Sequence, residues 1–401
     1  MSSVLILGAG MVGVSSALAL QERGHEVVLI DRREPGRETS FGNAGFIQTE
    51  AVEPYAMPLA PADLARIALG RSGEVRWSPG SVLTQARALL AYAGHSRPGR
   101  FARAVATYQR LIPESAAAHA PWVEAAGADN LVRRDGYLEI HRTAAGLARA
   151  EAMADRFGRD YQVPVQVLDG VALAAAEPGL RQRLAGAVLW GGTWTCADPG
   201  GLVAAYAALF TARGGRIVQG DAASLTRDGT GWRAAGQGAE HAVIALGPWS
   251  PAVCARFGLR VPMVLKRGYH QHFTGAAPLS RPLMDADNGV VMTPMRAGLR
   301  ICTAADLRGQ PHRAPPQLAR GTAAARDLLG IGAAQGEVWS GQRPCMPDML
   351  PVVGAIPGQT GLWAHFGHGH QGFTLGPVTA AILADAMDGG GWPELAPARL
   401  G

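Results

Sequence analysis

The chain has 401 residues, 48% of them hydrophobic and 17% charged, a globular profile that excludes a largely disordered protein. Its 53 glycines follow no fixed period, which excludes collagen-like and solenoid arrays. Basic residues exceed acidic ones by 37 to 32, yet Lys266 is the only lysine, so the +5 charge reflects an arginine preference and does not point to nucleic acid.

Ser2-Ser3 leads directly into Val4-Leu5-Ile6-Leu7, too short an apolar run for a signal peptide. No later run approaches the ~18 apolar residues of a membrane span, so a cytoplasmic location is expected. Val4–Leu7 reads as a strand buried on both faces. Gly8-Ala9-Gly10-Met11-Val12-Gly13 follows, then an alanine-rich helix to about Arg23-Gly24, then a strand from His25 to Ile30 that stops at Asp31. Gly8 permits the tight turn, Gly10 lets backbone approach a pyrophosphate, and Gly13 lets helix and strand pack closely. The helix N-terminus then turns its amide dipole toward phosphate, and Asp31 is placed to accept hydrogen bonds from ribose hydroxyls. This pattern alone does not separate NAD from FAD. Arg32-Arg33-Glu34 reads either as a 2′-phosphate site or as a solvated edge. The next run, Glu38-Thr39-Ser40-Phe41-Gly42-Asn43-Ala44-Gly45, is small and polar, suited to a loop along an extended dinucleotide.

On these residues the chain resembles the FAD-dependent amine and amino-acid oxidoreductases that include D-amino-acid oxidase, glycine oxidase and sarcosine oxidase. The Thr39-to-Gly45 run is most similar to the bacterial D-amino-acid dehydrogenase branch. The resemblance implies an α/β fold: a Rossmann-like FAD-binding part interleaved with a substrate part built on a mainly antiparallel sheet plus helices. It divides the chain into residues 1–48, 185–260 and 336–401 for FAD, and 49–184 and 261–335 for substrate.

Along the rest of the chain, prolines punctuate residues 54–79 before helices predicted over Val82–Ala93 and Phe101–Ala120. Between 60 and 120 lie eight arginines against Asp63, Glu74 and Glu114. This basic arm reads as a solvated helical face, or as a docking surface for acidic lipid headgroups or an electron-accepting partner. A strand is predicted at Asp135–Ile140, a helix at Ala144–Phe157, and another from the Asp198-Pro199 cap to about Ala212. Strands at Pro262–Phe273, Gly289–Met295 and Leu299–Ala304 join Asp135–Ile140 in the expected antiparallel sheet. Leu318–Leu329 reads as a helix, and strand Leu362–Phe366, the loop Gly367–Gly372 and a helix to about Met387 close the chain. Cys196, Cys254, Cys302 and Cys345 are too scattered for a metal cluster, so free buried thiols and no metal site are expected.

The resemblance implies oxidation of a carbon–nitrogen bond, with hydride passing from the substrate Cα to flavin N5, on a small D-amino or cyclic imino acid. Glycine, sarcosine or another secondary amine as an oxidase substrate is the alternative, as is a flavin subunit of a larger electron-transfer complex. Arg343, in Gly341-Gln342-Arg343-Pro344, matches the relatives' carboxylate anchor, and a guanidinium fork suits bidentate binding. Gly367, His368, Gly369 and Gly372 form the expected flavin-pyrimidine loop, with Thr374 as a hydroxyl donor. Ala222 and Gly247 complete the cofactor residues. His370 is a candidate substrate contact, although a glycine-flanked histidine also suits an exposed turn. Tyr269 and His270 sit on opposite faces of one strand, so only one can reach a pocket. Arg300 lies where some oxidases carry a lysine near N5, and reads either as an electrostatic group there or as half of an ion pair. Gly341 stands where some relatives tether flavin through cysteine, so FAD is expected to be non-covalent. The expected acceptor is a quinone or a partner protein in preference to oxygen.

Overall fold

The computed structural model describes residues 1–70 and 75–401, so Glu74 of the basic arm lies outside the described residues. Two large sheets organise the chain. The first has six strands in the order Arg216–Gln219, Glu26–Asp31, Ser3–Leu7, His241–Ile244, Leu362–Phe366 and Val352–Ala355. All neighbours are parallel except the last pair. Val4 to Leu7 are fully buried at its centre, as a strand covered on both faces must be. Helix Met11–Glu22 packs on this sheet and against the last long helix, Gly372–Met387. This is a Rossmann-like α/β arrangement, with the glycine turn at the carboxyl end of the central strand.

The second sheet has ten strands. Its central run is Ala334–Cys345, Val264–Phe273, Gly298–Thr303, Val290–Met295, Leu283–Asp285, Tyr137–His141 and Gly186–Trp190. Most pairs are antiparallel, but Leu283–Asp285 runs parallel to Tyr137–His141. One face packs on helix Pro316–Leu329 through Leu138, Leu283, Ile301 and Leu328. The other face forms the floor of the site described below. The boundaries expected at 185 and 336 each separate a strand from this sheet. Gly186–Trp190 and Ala334–Cys345 belong to it, because their backbones complete ladders with Tyr137–His141 and Val264–Phe273.

The helical arm is more broken than its composition predicts. Instead of one helix over Phe101–Ala120, there are two, Pro98–Leu111 and Ser115–Ala125. Pro113 stands between them, without an amide proton and with a ring that excludes the preceding turn. The first predicted helix is likewise split, into Pro79–Thr84 and Ala86–His95. Helix Pro199–Ala212 begins as expected, with the Asp198 carboxylate accepting from the Gly201 N–H at 2.9 Å. All four cysteines are buried and unbonded. Among the described residues, no helix is long and apolar enough to cross a membrane.

Candidate active site

A long cleft runs from the carboxyl ends of the parallel strands to the floor of the mixed sheet. Gly8, Gly10, Met11 and Val12 line its middle, Asp31, Arg32, Ala222 and Gly247 one end, and Arg343 and His370 the other. Gly8 holds φ at +108°, and a Cβ there would lie 2.6 Å from the Ala245 carbonyl oxygen. A Cβ on Gly13 would lie 1.7 Å from the Gly8 oxygen. Backbone therefore packs directly on backbone, and the first helix starts at the cleft wall. That helix has no acidic residue in its first turn, nor does Gly372–Met387, whose Gly372 and Phe373 also line the cleft. Two helix N-termini thus present positive potential to one channel, a set of donors fitted to an anionic dinucleotide such as FAD.

The loop between Thr39 and Gly45 is fastened from several sides. Ser40 Oγ accepts from the Met11 N–H at 2.9 Å, and Asn43 Oδ1 accepts from the Gly45 and Phe46 amides at 2.7 and 3.1 Å. Thr293 donates to the Ala44 oxygen at 2.8 Å. Buried Arg300 donates to the Phe41 and Asn43 oxygens at 2.9 and 2.7 Å, and its Nε to His272 at 3.0 Å. Arg300 is thus a clamp on backbone carbonyls; it does not line the cleft, and no acid pairs with it among the described residues. Asp31 Oδ2 accepts from the Ala9 N–H at 2.7 Å and so also fixes the glycine turn. Arg32 and Arg33 both engage Glu38, at 3.1 and 3.2 Å, as exposed ion pairs at the edge of the cleft that Arg32 lines.

Arg343 is different. Its Nη1 and Nη2 donate to the main-chain oxygens of Ala304 and Thr303 at 3.2 and 3.0 Å, and no carboxylate pairs with it among the described residues. The guanidinium lies over Gly268, where a Cβ would come within 2.7 Å of Nη2. Burial pulls its pKa below the ordinary arginine value, so an anion placed beside it would relieve a desolvated charge. His370 stands at the same end with its ring 4.7 Å from that of Tyr55. Burial, together with the Arg343 and Lys266 cations, holds His370 well below the usual histidine range, so its imidazole is neutral.

Other expected residues fall elsewhere. Tyr269 contributes to the wall, but its hydroxyl donates to Asp306 at 2.9 Å and accepts from the His312 N–H, engaged away from any substrate. His270 is on the floor face yet covered, stacked on Trp339 at 4.9 Å with Phe41 at 5.8 Å. Its pKa falls to about 2 through burial and nearby Arg300. His368 lines the cleft with its Nε2 bonded to Thr379 at 2.9 Å, and burial lowers it to about 3. Gly13, Gly45 and Thr374 lie behind the wall. The Thr374 hydroxyl is occupied by the Gln48 N–H and the Phe46 oxygen, at 3.2 and 3.4 Å. Gly367 and Gly369 do line the cleft.

Sequence reasoning missed Tyr55, Trp249 and Trp339, all in the wall. Trp339 was within reach, since it shares a strand face with Gly341 and Arg343 by alternation. Tyr55 lies in a proline-punctuated stretch that carries no motif. Trp249 meets the Arg32 guanidinium, 4.6 Å above its ring, only through folding.

Known proteins share this architecture. A D-amino acid dehydrogenase of Cereibacter sphaeroides is 33% identical over 437 aligned residues, covering 99% of this chain and 94% of that protein. A D-amino-acid oxidase of Bradyrhizobium diazoefficiens is 29% identical, covering 96% and 95%. The crystal structure of glycine oxidase from Geobacillus kaustophilus superposes with a TM-score of 0.70 over 98% of this chain and 96% of its own, at 21% identity. The profile of the FAD dependent oxidoreductase family (DAO) matches residues 3–386, and the chain belongs to that family.

Proposed function

We propose that this enzyme oxidises the C–N bond of a small D-amino acid or cyclic imino acid whose carboxylate is held by Arg343. The observation that carries the reading is the Arg343 guanidinium, half-buried in the cleft wall and, among the described residues, bonded to two neutral carbonyls with no carboxylate beside it. A bidentate carboxylate matches that fork in charge and geometry. Neutral His370 and Tyr55 close the pocket over it, contributing shape without competing charge. Bound FAD supplies the acceptor for the hydride that leaves the substrate carbon. The parallel sheet would carry the dinucleotide, on the glycine turn, Asp31, the Ser40–Ala44 loop and Gly367–Gly372, while the mixed sheet carries the substrate. At Gly341 a Cβ would lie 2.2 Å from the Trp339 ring, which supports a non-covalent cofactor. Anaerobic titration with D- and L-amino acids, prolines, glycine and sarcosine tests the reading. Bleaching by D-amino or cyclic imino acids is expected, whereas bleaching by glycine or sarcosine alone would favour the secondary-amine oxidase.

The acceptor reading rests on the arm. Leu69, Leu83 and Leu90 are 66%, 79% and 74% exposed in this arm, which also carries the exposed Arg87, Arg100 and Arg103. Exposed apolar and basic residues in one arm suit peripheral contact with an anionic membrane and a quinone acceptor. Sedimentation with anionic vesicles is expected to exceed that with neutral ones; equal binding would remove the electrostatic part.

A further inference from the structure

A second cavity lies beside the cleft on the same sheet face. Sheet register aligns His270, Cys302, Val291, Met284 and Glu139 as one row across five strands. Cys302, Val291 and Met284 line the cleft, and the next residue, Glu139, lines a separate crevice of ≈ 370 Å³. That volume is within the ~300–1,000 Å³ that small-molecule sites occupy.

The crevice wall carries both signs of charge. Glu139 and His141 are only 7% and 5% exposed. Glu139 Oε2 accepts from Trp190 Nε1 at 3.0 Å, while Oε1 stands 3.4 Å from His141 Nε2, a buried nitrogen with no hydrogen bond among the described residues. Asp287 lies at the rim, accepting from the Arg142 N–H at 2.9 Å. Opposite charges come from two helices: Arg66, paired with Asp63 at 3.2 Å, and exposed Arg149, which no carboxylate pairs among the described residues. A dianion would meet Glu139 and Asp287, and a simple cation would meet the two arginines. A small molecule with one carboxylate and one ammonium satisfies both halves.

We propose that this crevice is an outer site for the zwitterionic amino acid, adjoining the cleft at the Met284–Glu139 step. The proposal rests on the amino-acid reading of the cleft. Silencing the inner anchor separates the two. FAD-loaded Arg343→Ala protein is expected to retain weak binding of D-alanine by equilibrium dialysis, and adding Arg149→Ala or Asp287→Asn should weaken it about 3- to 10-fold. In otherwise wild-type enzyme, Arg149→Ala should raise KM by a similar factor with kcat and melting temperature unchanged, and Arg149→Lys should restore most of it. No binding to Arg343→Ala, or binding indifferent to Arg149 and Asp287, overturns the outer site. If instead no amino or imino acid bleaches the wild-type flavin, the reading of the cleft fails, while dialysis still reports on the crevice.

Discussion

The glycine turn and the Arg343 pocket are opposite kinds of site. At the turn, the residues that matter are neighbours in sequence and act mainly through backbone: Gly8 and Gly13 in contact, Asp31 on the Ala9 amide. At the pocket, Tyr55, Arg343 and His370 come from separate segments and act through side chains, with the Arg343 guanidinium laid over Gly268 of the neighbouring strand. A backbone site is intolerant of added atoms, whereas a side-chain site is intolerant of lost ones. Lesions in the first should therefore empty the cofactor, and lesions in the second should spare it.

The largest effect expected is at Gly13. Valine there drives carbon into the Gly8 carbonyl, which cannot yield without moving the central strand. A loss of about 4 kcal/mol or more and near-complete loss of FAD are expected, read by denaturant unfolding and the flavin spectrum. Arg343→Ala comes next. Removing one member of a desolvated charge pair costs roughly 2–5 kcal/mol, about 30- to several-thousand-fold in kcat/KM. FAD content should stay near that of wild type, and lysine should restore only part of the activity. An Arg343→Ala protein that purified without flavin would erase the distinction between the two regions.

Acid sharpens the comparison differently, because buried histidines anchor the helices behind the cleft. His119, bonded to Tyr206, is lowered to about 4, and His368 to about 3, in both cases by burial. Near pH 6.5 the unfolded chain begins to take up protons that these neutral imidazoles refuse. Stability is therefore present above that pH and lost as pH falls toward 4, by up to ~1.4 kcal/mol per pH unit for each group. Urea midpoints between pH 7.5 and 4.5 test this; a flat profile would mean that the histidines are solvated. The smallest effect is at Thr374. Its hydroxyl serves the Phe46–Gln48 backbone, so Thr374→Val should cost ~1 kcal/mol of stability and leave the flavin spectrum and kcat unchanged.

Much of the nucleotide end is legible in the sequence. Strand, turn, helix and acid occupy a short segment where each residue's job is set by its immediate neighbours. The Asp198-Pro199 cap is readable for the same reason, since capping is a contact across three residues. Alternation likewise places Tyr269 and His270 on opposite faces, but it does not say which face is the floor or what covers it. Only the tertiary structure decided that Trp339 and Phe41 cover His270, and that Asp306 holds the Tyr269 hydroxyl. Arg300 shows the limit most clearly. Its type and strand were evident, yet its guanidinium clamps two carbonyls brought to it from some 257 residues away. Local sequence determines what a backbone segment can do, because its partners are covalently near. A side chain's role depends on which distant group folding sets within ~3 Å of it, and no local pattern encodes that distance.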